Sequence, residues 1–212
     1  MFQIVPGEDV ILFALPLFHS FASTVGMLTP LLYGCTSVPL LKFEPQKIVQ
    51  VIKEEKATIF LGVPSMYSVL LRLPVSVRDQ LSSLKYAISG GAALPPEVMK
   101  GFEEKFGVLI YEGYGPTECS PVTTLNPIRG VRKIGSVGKP IPHVKVKTLD
   151  DDGEECAHNE IGEICVQGPN VMKGYWKLPQ ETEKSFLGKW FRTGDLGYED
   201  DEGYFYILNF PN

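Results

Sequence analysis

The sequence predicts an α/β fold, with a parallel-sheet α/β subdomain over residues 1–128 followed by a smaller antiparallel, β-rich subdomain over 129–212. Three observations carry this. As far as Tyr111, short and wholly apolar runs alternate with segments of helical periodicity, as expected for strands covered on both faces of a parallel sheet. Leu84–Ser89, the turn Gly90-Gly91-Ala92-Ala93, a helix from Pro95-Pro96 to Phe106 and Val108–Tyr111 together read as one right-handed βαβ crossover. After about Pro127 the pattern turns to residue-by-residue alternation broken by Asp and Gly, the mark of hairpins. The boundary is placed near Asn126–Lys133.

The elements follow in order. Val10–Leu15 is a continuous apolar run closed by Pro16, hence a buried strand. Ala22–Tyr33 has helical length and ends at Gly34, a C′ stop, with Pro30 inside it to kink or shorten the helix. Thr36–Leu41 is a second strand. Pro45–Lys56 is a helix with Pro45 at its first position, an apolar stripe of Ile48, Val49, Val51 and Ile52, and Lys53 and Lys56 at its C-terminal end. Ala57–Val63 is a strand, and Pro64 opens a helix carrying Met66, Tyr67, Val69, Leu70 and Leu71 on its apolar side. In the second part, Val144–Thr148, Ile164–Val166, Trp190-Phe191 and Tyr204–Leu208 are short strands, and Asp150-Asp151-Asp152-Gly153 is a turn.

Composition bounds the function. The 212 residues are 44% hydrophobic and 21% charged, which is ordinary globular composition. A net charge of −5 without a Lys/Arg-rich run argues against a nucleic-acid or anionic-membrane partner. Cys35, Cys119, Cys156 and Cys165 show no C-x-x-C spacing and His19, His143 and His158 are scattered, so a structural zinc site is not expected and reduced thiols in a cytoplasmic protein are. No apolar run reaches membrane-spanning length, and Pro6, Gly7, Glu8 and Asp9 do not suit a signal peptide.

The chemistry concentrates in Gly113-Tyr114-Gly115-Pro116-Thr117-Glu118. Two glycines let backbone approach a ligand and Pro116 stiffens the corner. Tyr114 offers a stacking face, Thr117 a hydroxyl, and Glu118 a hard oxygen of the kind Mg2+ accepts. These parts suit a nucleotide and its metal; the competing reading is an ordered loop capping a strand. This turn and Gly90-Gly91 both leave the carboxyl ends of parallel strands, where open α/β sheets bind ligands.

Four separated stretches resemble the adenylate-forming enzymes, which include acyl-CoA synthetases, aryl-CoA ligases, beetle luciferases and the adenylation domains of peptide synthetases. They are Leu15-Pro16-Leu17-Phe18-His19; Ser89-Gly90-Gly91-Ala92-Ala93-Leu94; Gly113–Glu118; and Gly162–Pro169 with Gly174-Tyr175-Trp176, joined by Arg192-Thr193-Gly194-Asp195-Leu196-Gly197. The resemblance implies that the β-rich part is a distorted barrel. It also implies a two-step reaction, in which a carboxylate attacks the α-phosphorus of ATP and the acyl group then passes to a thiol, usually that of CoA. By the same resemblance Tyr114 packs on adenine opposite Gly90-Gly91-Ala92, with Gly113 and Gly115 allowing the close approach. Thr117 meets the α-phosphate, Glu118 ligates Mg2+ and Asp195 accepts both ribose hydroxyls. His19 lies by the reacting carboxylate and phosphate, Phe21 and Val25 stand on one wall of the acyl site, and Gly90, Gly113 and Val122 form its floor. From the residues alone, His19 and Asp195 also read as structural, Tyr114 as packing, and the stripe Phe21, Val25, Leu28 as core. Gly162–Gly168 reads as a hairpin with no catalytic role.

The family's Ser/Thr/Gly-rich phosphate loop, expected before Leu15, and its lysine-bearing C-terminal domain, expected after Ile207, are not matched in this sequence; Leu208–Asn212 departs from the pattern. The resemblance therefore implies a middle fragment of a large N-terminal domain, inactive by itself and prone to self-association through uncovered sheet edges. Gly90-Gly91-Ala92-Ala93-Leu94 and Leu17-Phe18-His19 look like the acyl-CoA ligases, and the apolar helix around Phe21, Val25 and Met27 favours the long-chain fatty-acid–CoA ligase branch, with a medium- to long-chain fatty acid, ATP and CoA as substrates; Pro116 has the peptide-synthetase flavour, and aryl or amino acids stay open. A non-catalytic nucleotide- or acyl-binding module is the alternative from another class. A Rossmann oxidoreductase fails for want of G-x-G-x-x-G after the first strand.

Overall fold

The computed structural model describes residues 4–209, in two compact units that divide between Glu112 and Gly113. Phe210, Pro211 and Asn212, which depart from the family pattern, lie outside the described residues.

In the first unit β1 (Val10–Phe13) is followed by a π-helical segment, Ala22–Leu28, and α1 (Thr29–Tyr33). The expected single helix is thus two pieces, and the reason is local. Pro30 has no N–H for the carbonyl four residues back, that of Gly26, and the Ser37 hydroxyl donates to that carbonyl at 2.7 Å. Gly26 also leaves room for Phe13, since a Cβ there would sit 2.6 Å from its ring. Gly34 ends α1 with φ +67, as a C′ glycine should.

Next come β2 (Thr36–Pro39), α2 (Pro45–Glu55), β3 (Ile59–Gly62), α3 (Pro64–Leu70), a 3₁₀ segment Val75–Leu81, β4 (Tyr86–Ser89), α4 (Pro96–Phe106) and β5 (Ile110–Tyr114). Each of these helices has proline in its first turn, where a missing N–H costs nothing. Ile48, Val49, Val51 and Ile52 of α2 are buried as the stripe predicts. The strands run parallel in the order β2-β1-β3-β4-β5. β3 is buried throughout, whereas the outer strand β2 is half exposed.

β5 runs on through Gly113 and Tyr114, which the sequence assigns to a turn. They are strand because they pair antiparallel with β6 (Thr124–Leu125), which pairs in turn with β7 (Lys139–Pro140). The turn proper is the 3₁₀ segment Thr117–Cys119. The rest of the second unit is an antiparallel, curled sheet. It contains β8 (Lys145–Leu149), β9 (Gly162–Gln167), a short helix α5 (Pro179–Lys184), β10 (Phe186–Leu187), β11 (Trp190–Glu199) and β12 (Phe205–Asn209). The order is β10-β11-β9-β8, with β12 on β11. Its core gathers Tyr114, Cys119, Val137, Val144, Ile164, Val166, Phe191 and Phe205.

Candidate active site

In the second unit three elements converge on Tyr114. Its carbonyl accepts the Thr123 N–H and hydroxyl, both at 2.9 Å. Gly115 is needed next, because a Cβ there would lie 2.0 Å from the Pro121 carbonyl oxygen. Tyr114 is only 6% exposed and belongs to the core, so little of it is offered to a ligand. Its hydroxyl donates to Asp195 Oδ2 at 2.5 Å.

Asp195 reaches that position through a bulge. Between the pairs Arg192↔Cys165 and Leu196↔Glu163, the triplet Thr193-Gly194-Asp195 lies opposite the single residue Ile164. Gly194 takes φ +79, which suits glycine. Glu163 holds the bulge from the neighbouring strand. Its Oε2 accepts from Arg192 Nε at 2.7 Å and its Oε1 from the Gly194 N–H at 3.0 Å. The Thr193 hydroxyl donates to the Ile164 carbonyl and accepts the Asp195 N–H. Glu163 and Arg192 thus brace the bulge; in the sequence Glu163 reads only as part of a hairpin and Arg192 has no role of its own, and the signal available was a Glu and an Arg on paired strands flanking a Gly-Asp.

Burial raises the Asp195 carboxyl above its ordinary range, against the pull of the Tyr114 hydroxyl, and the Glu163 charge adds to the rise. Burial, then the Asp195 bond, drives the Tyr114 phenol upward, so it stays a donor. A carboxylate has about four lone-pair sites, so the Tyr114 bond leaves Asp195 acceptor capacity for a vicinal diol.

Thr117 is exposed, and Glu118 is half-buried with Oε1 accepting the Tyr175 hydroxyl at 3.0 Å. Cys119 is buried, and burial followed by the Glu118 charge pushes its thiol up to about 12. It is a packing residue and no nucleophile. The Val122 carbonyl accepts from Asn170 Nδ2 at 2.9 Å. Among the described residues no group of three or more His, Cys, Asp or Glu forms a metal cage. A single half-buried carboxylate fits Mg2+ of the kind that is carried largely by phosphates and water.

In the first unit the Gly90-Gly91-Ala92-Ala93 turn follows β4 directly, with Gly91 at φ +82 and Gly91, Ala92 and Ala93 exposed. A residue absent from every motif holds this turn. Glu112 is 3% exposed, and its Oε1 accepts the Leu94 N–H at 2.8 Å. Its Oε2 and the hydroxyl of Ser89, its partner in register on β4, have no hydrogen-bond partner among the described residues. Burial raises the Glu112 carboxyl to about 7, against the Leu94 bond. A lone charge ending an apolar strand was the available signal.

His19 is exposed, and its Nδ1 accepts the Phe21 N–H at 3.3 Å, which makes Nε2 the ring's N–H donor. Phe21 is buried with Phe13, Leu15, Ile59 and Leu61, and Val25 packs against that cluster. The first unit therefore brings together His19, Phe21 and Val25 on one segment and Gly90–Ala92 on another. The second unit brings together Tyr114, Glu118 and Asp195.

Known proteins agree with this geometry. The AMP-binding enzyme family model matches residues 2–176. A long-chain-fatty-acid–CoA ligase of Bacillus subtilis is 42% identical over 99% of this chain, which spans 38% of that relative. ATP-bound MatB from Rhodopseudomonas palustris is 36% identical, with a TM-score of 0.92 over 96% of this chain and 40% of its own. The O-succinylbenzoate coenzyme A synthetase MenE of Bacillus subtilis, in complex with ATP and magnesium ion, is 32% identical, with a TM-score of 0.85 over 98% of this chain and 42% of its own. The chain thus spans about two fifths of the relatives it matches. Among the described residues no helix is long and apolar enough to cross a membrane. With its glycine-bearing strand ends, its Thr-Glu turn and its bulged Thr-Gly-Asp, the chain belongs to the AMP-binding enzyme family.

Proposed function

We propose that this chain is the nucleotide-binding part of an ATP-dependent acyl-CoA ligase, one that adenylates a carboxylic acid and transfers the acyl group to CoA. The observation that supports this best is the Tyr114–Asp195 hydrogen bond, which sets a buried carboxylate four residues from Glu118 along the strand-and-turn that carries Tyr114. In this reading Asp195 accepts the ribose hydroxyls, while Tyr114 holds Asp195 and offers the exposed remainder of its ring to adenine. Gly113 and Gly115 keep the strand end free of side chains, and Thr117 donates to the α-phosphate. Glu118 ligates Mg2+, which when bound neutralises phosphate charge and helps pyrophosphate depart. In the first unit, the backbone of Gly90, Gly91 and Ala92 borders the adenine. His19, through Nε2–H, donates to the anion formed by the acid or the phosphate. Phe21, Val25 and Gly90 in the first unit are assigned to the acyl chain, as are Gly113 and Val122 in the second.

A fatty acid is the preferred acid. The Phe21–Leu28 segment carries no charge that would meet an amino group, and one relative is a fatty-acid ligase. An aryl-type acid is the second reading, favoured by the succinylbenzoate-specific name of another similar protein. Because the chain spans 38% of its ligase relative, turnover is assigned to a longer protein and nucleotide binding to this chain. CoA enters as the second substrate, in the cytoplasm. The half-exposed edge strand β2, together with exposed Leu31, Leu32 and Leu41, supports self-association of the isolated chain.

The test is carboxylate-dependent exchange of labelled pyrophosphate into ATP by a protein containing this chain, across fatty, aryl and amino acids. Exchange with long-chain fatty acids above all others is expected. Exchange with none of the acids would contradict the ligase reading, and a preference for an aryl acid would correct its substrate.

A further inference from the structure

The segment Asn170–Tyr175 has no role in the reading above, yet it makes a run of bonds to the turn that carries Glu118. Asn170 Nδ2 donates to the carbonyls of Cys119 and Val122, each at 2.9 Å. The Met172 N–H donates to the Glu118 carbonyl at 2.7 Å. These three bonds fix backbone at and after Glu118. A further bond fixes its side chain: the Tyr175 hydroxyl donates to Glu118 Oε1 at 3.0 Å, across 57 residues of sequence.

Tyr175 is itself held. Its N–H donates to Thr182 Oγ1 at 2.9 Å, and that hydroxyl donates to the Leu178 carbonyl. Gly174 makes the approach possible, because a Cβ there would lie 2.6 Å from Thr182 Cγ2. Support therefore passes from α5 through Tyr175 to a single carboxylate oxygen. A phenol 36% exposed is not needed to fill a core. A donor fixed on one oxygen of a carboxylate sets the orientation of the other, as outer partners of metal ligands do.

We infer that Tyr175 is a positioning residue for Glu118: it holds Oε1 so that Oε2 meets the divalent cation carried by a nucleoside triphosphate. This rests on the reading of Glu118 as the metal ligand. Asn170 and Met172 set where the turn lies, and Tyr175 sets which way its carboxylate faces.

The test compares affinity for ATP in excess Mg2+ with affinity for ATP in EDTA, by calorimetric titration of the wild-type chain and of Tyr175→Phe. Phenylalanine keeps the ring, so the melting temperature is expected to stay unchanged. Tyr175→Phe is expected to weaken Mg·ATP about tenfold while leaving metal-free ATP unchanged. An unchanged ratio in Tyr175→Phe, or an equal loss in both media, overturns the inference, the latter showing a merely structural role. If the wild-type chain itself binds ATP equally with and without Mg2+, the metal reading of Glu118 fails and the inference falls with it; that outcome is visible before the variant is measured. Asn170→Ala provides the contrast, since displacing the whole turn is expected to weaken both forms together.

Discussion

Two buried carboxylates in the first unit sit at opposite ends of its parallel strands and are treated in opposite ways. Asp9, just before β1, is fully buried and fully engaged. Its Oδ2 accepts the Val5 N–H, and its Oδ1 accepts the Thr58 hydroxyl and Lys85 Nζ, all at 2.8 Å. Burial pushes its carboxyl up, but Lys85, Val5 and Thr58 together hold it below its ordinary range. Glu112, in register with Ser89 at the carboxyl end of β4, keeps one oxygen without a partner among the described residues, and its carboxyl rises to about 7. Thr58 and Lys85 directly precede β3 and β4, so Asp9 ties the amino ends of three strands together. The carboxyl ends, where α/β sheets bind ligands, are the place where a polar group is left incompletely satisfied.

The largest expected effect lies at the secured end. Asp9→Ala leaves the Val5 N–H, the Thr58 hydroxyl and Lys85 without their acceptor, and a loss of about 4 kcal/mol in urea unfolding is expected. A loss under about 1 kcal/mol would show that water replaces Asp9 readily, and would erase the contrast.

Glu112 gives the second effect, and its sign is opposite to that of Asp9. A carboxyl raised in the folded state is protonated there while already ionised in the unfolded chain. Stability therefore falls as pH rises from about 4.5 to about 7. The fall is about 3 kcal/mol at most, since each pKa unit is worth about 1.4 kcal/mol. Glu112→Gln keeps an acceptor for the Leu94 N–H and cannot ionise, so its stability between pH 5 and 8 is expected to be higher and flatter. Asp9, with its lowered carboxyl, acts the other way: its contribution is present above its ordinary value and is lost as pH falls through the folded one.

The smallest effect extends the comparison to the second unit. Asp195 is also buried with a raised carboxyl, so its charge costs stability at neutral pH. Asp195→Asn still accepts the Tyr114 hydroxyl, and a gain of about 1 kcal/mol in thermal unfolding at pH 7 is expected, as when a strained functional group is relieved. A net loss would place Asp195 with Asp9 as a structural residue.

Much of this fold was legible in the sequence because apolar runs and proline or glycine boundaries act locally. The α2 stripe, the Gly34 stop and the apolar strand runs need only neighbours a few residues away. What escaped depends on distant partners. Gly113 and Tyr114 are strand because of the two-residue β6, which has no pattern of its own. Trp190-Phe191 grows to a ten-residue strand because β9 and β12 flank it. The site shows the same division. Glu118 and Asp195 are singled out through resemblance, whereas Tyr175, which bonds to Glu118, and Glu163, which bonds to the bulge before Asp195, act across 57 and 31 residues. Glu112 is passed over in the sequence, because a single charge after an apolar run is ordinary until its burial and its unpartnered second oxygen are known.

The most direct measurement is calorimetric titration of ATP into this chain and into Asp195→Asn, side by side. Saturable binding by the wild-type chain, weakened at least tenfold where one acceptor oxygen becomes an amide donor facing the ribose diol, is the expected result. Equal binding by both proteins would contradict the assignment of Asp195 to the nucleotide, and no binding by either would contradict the nucleotide site itself.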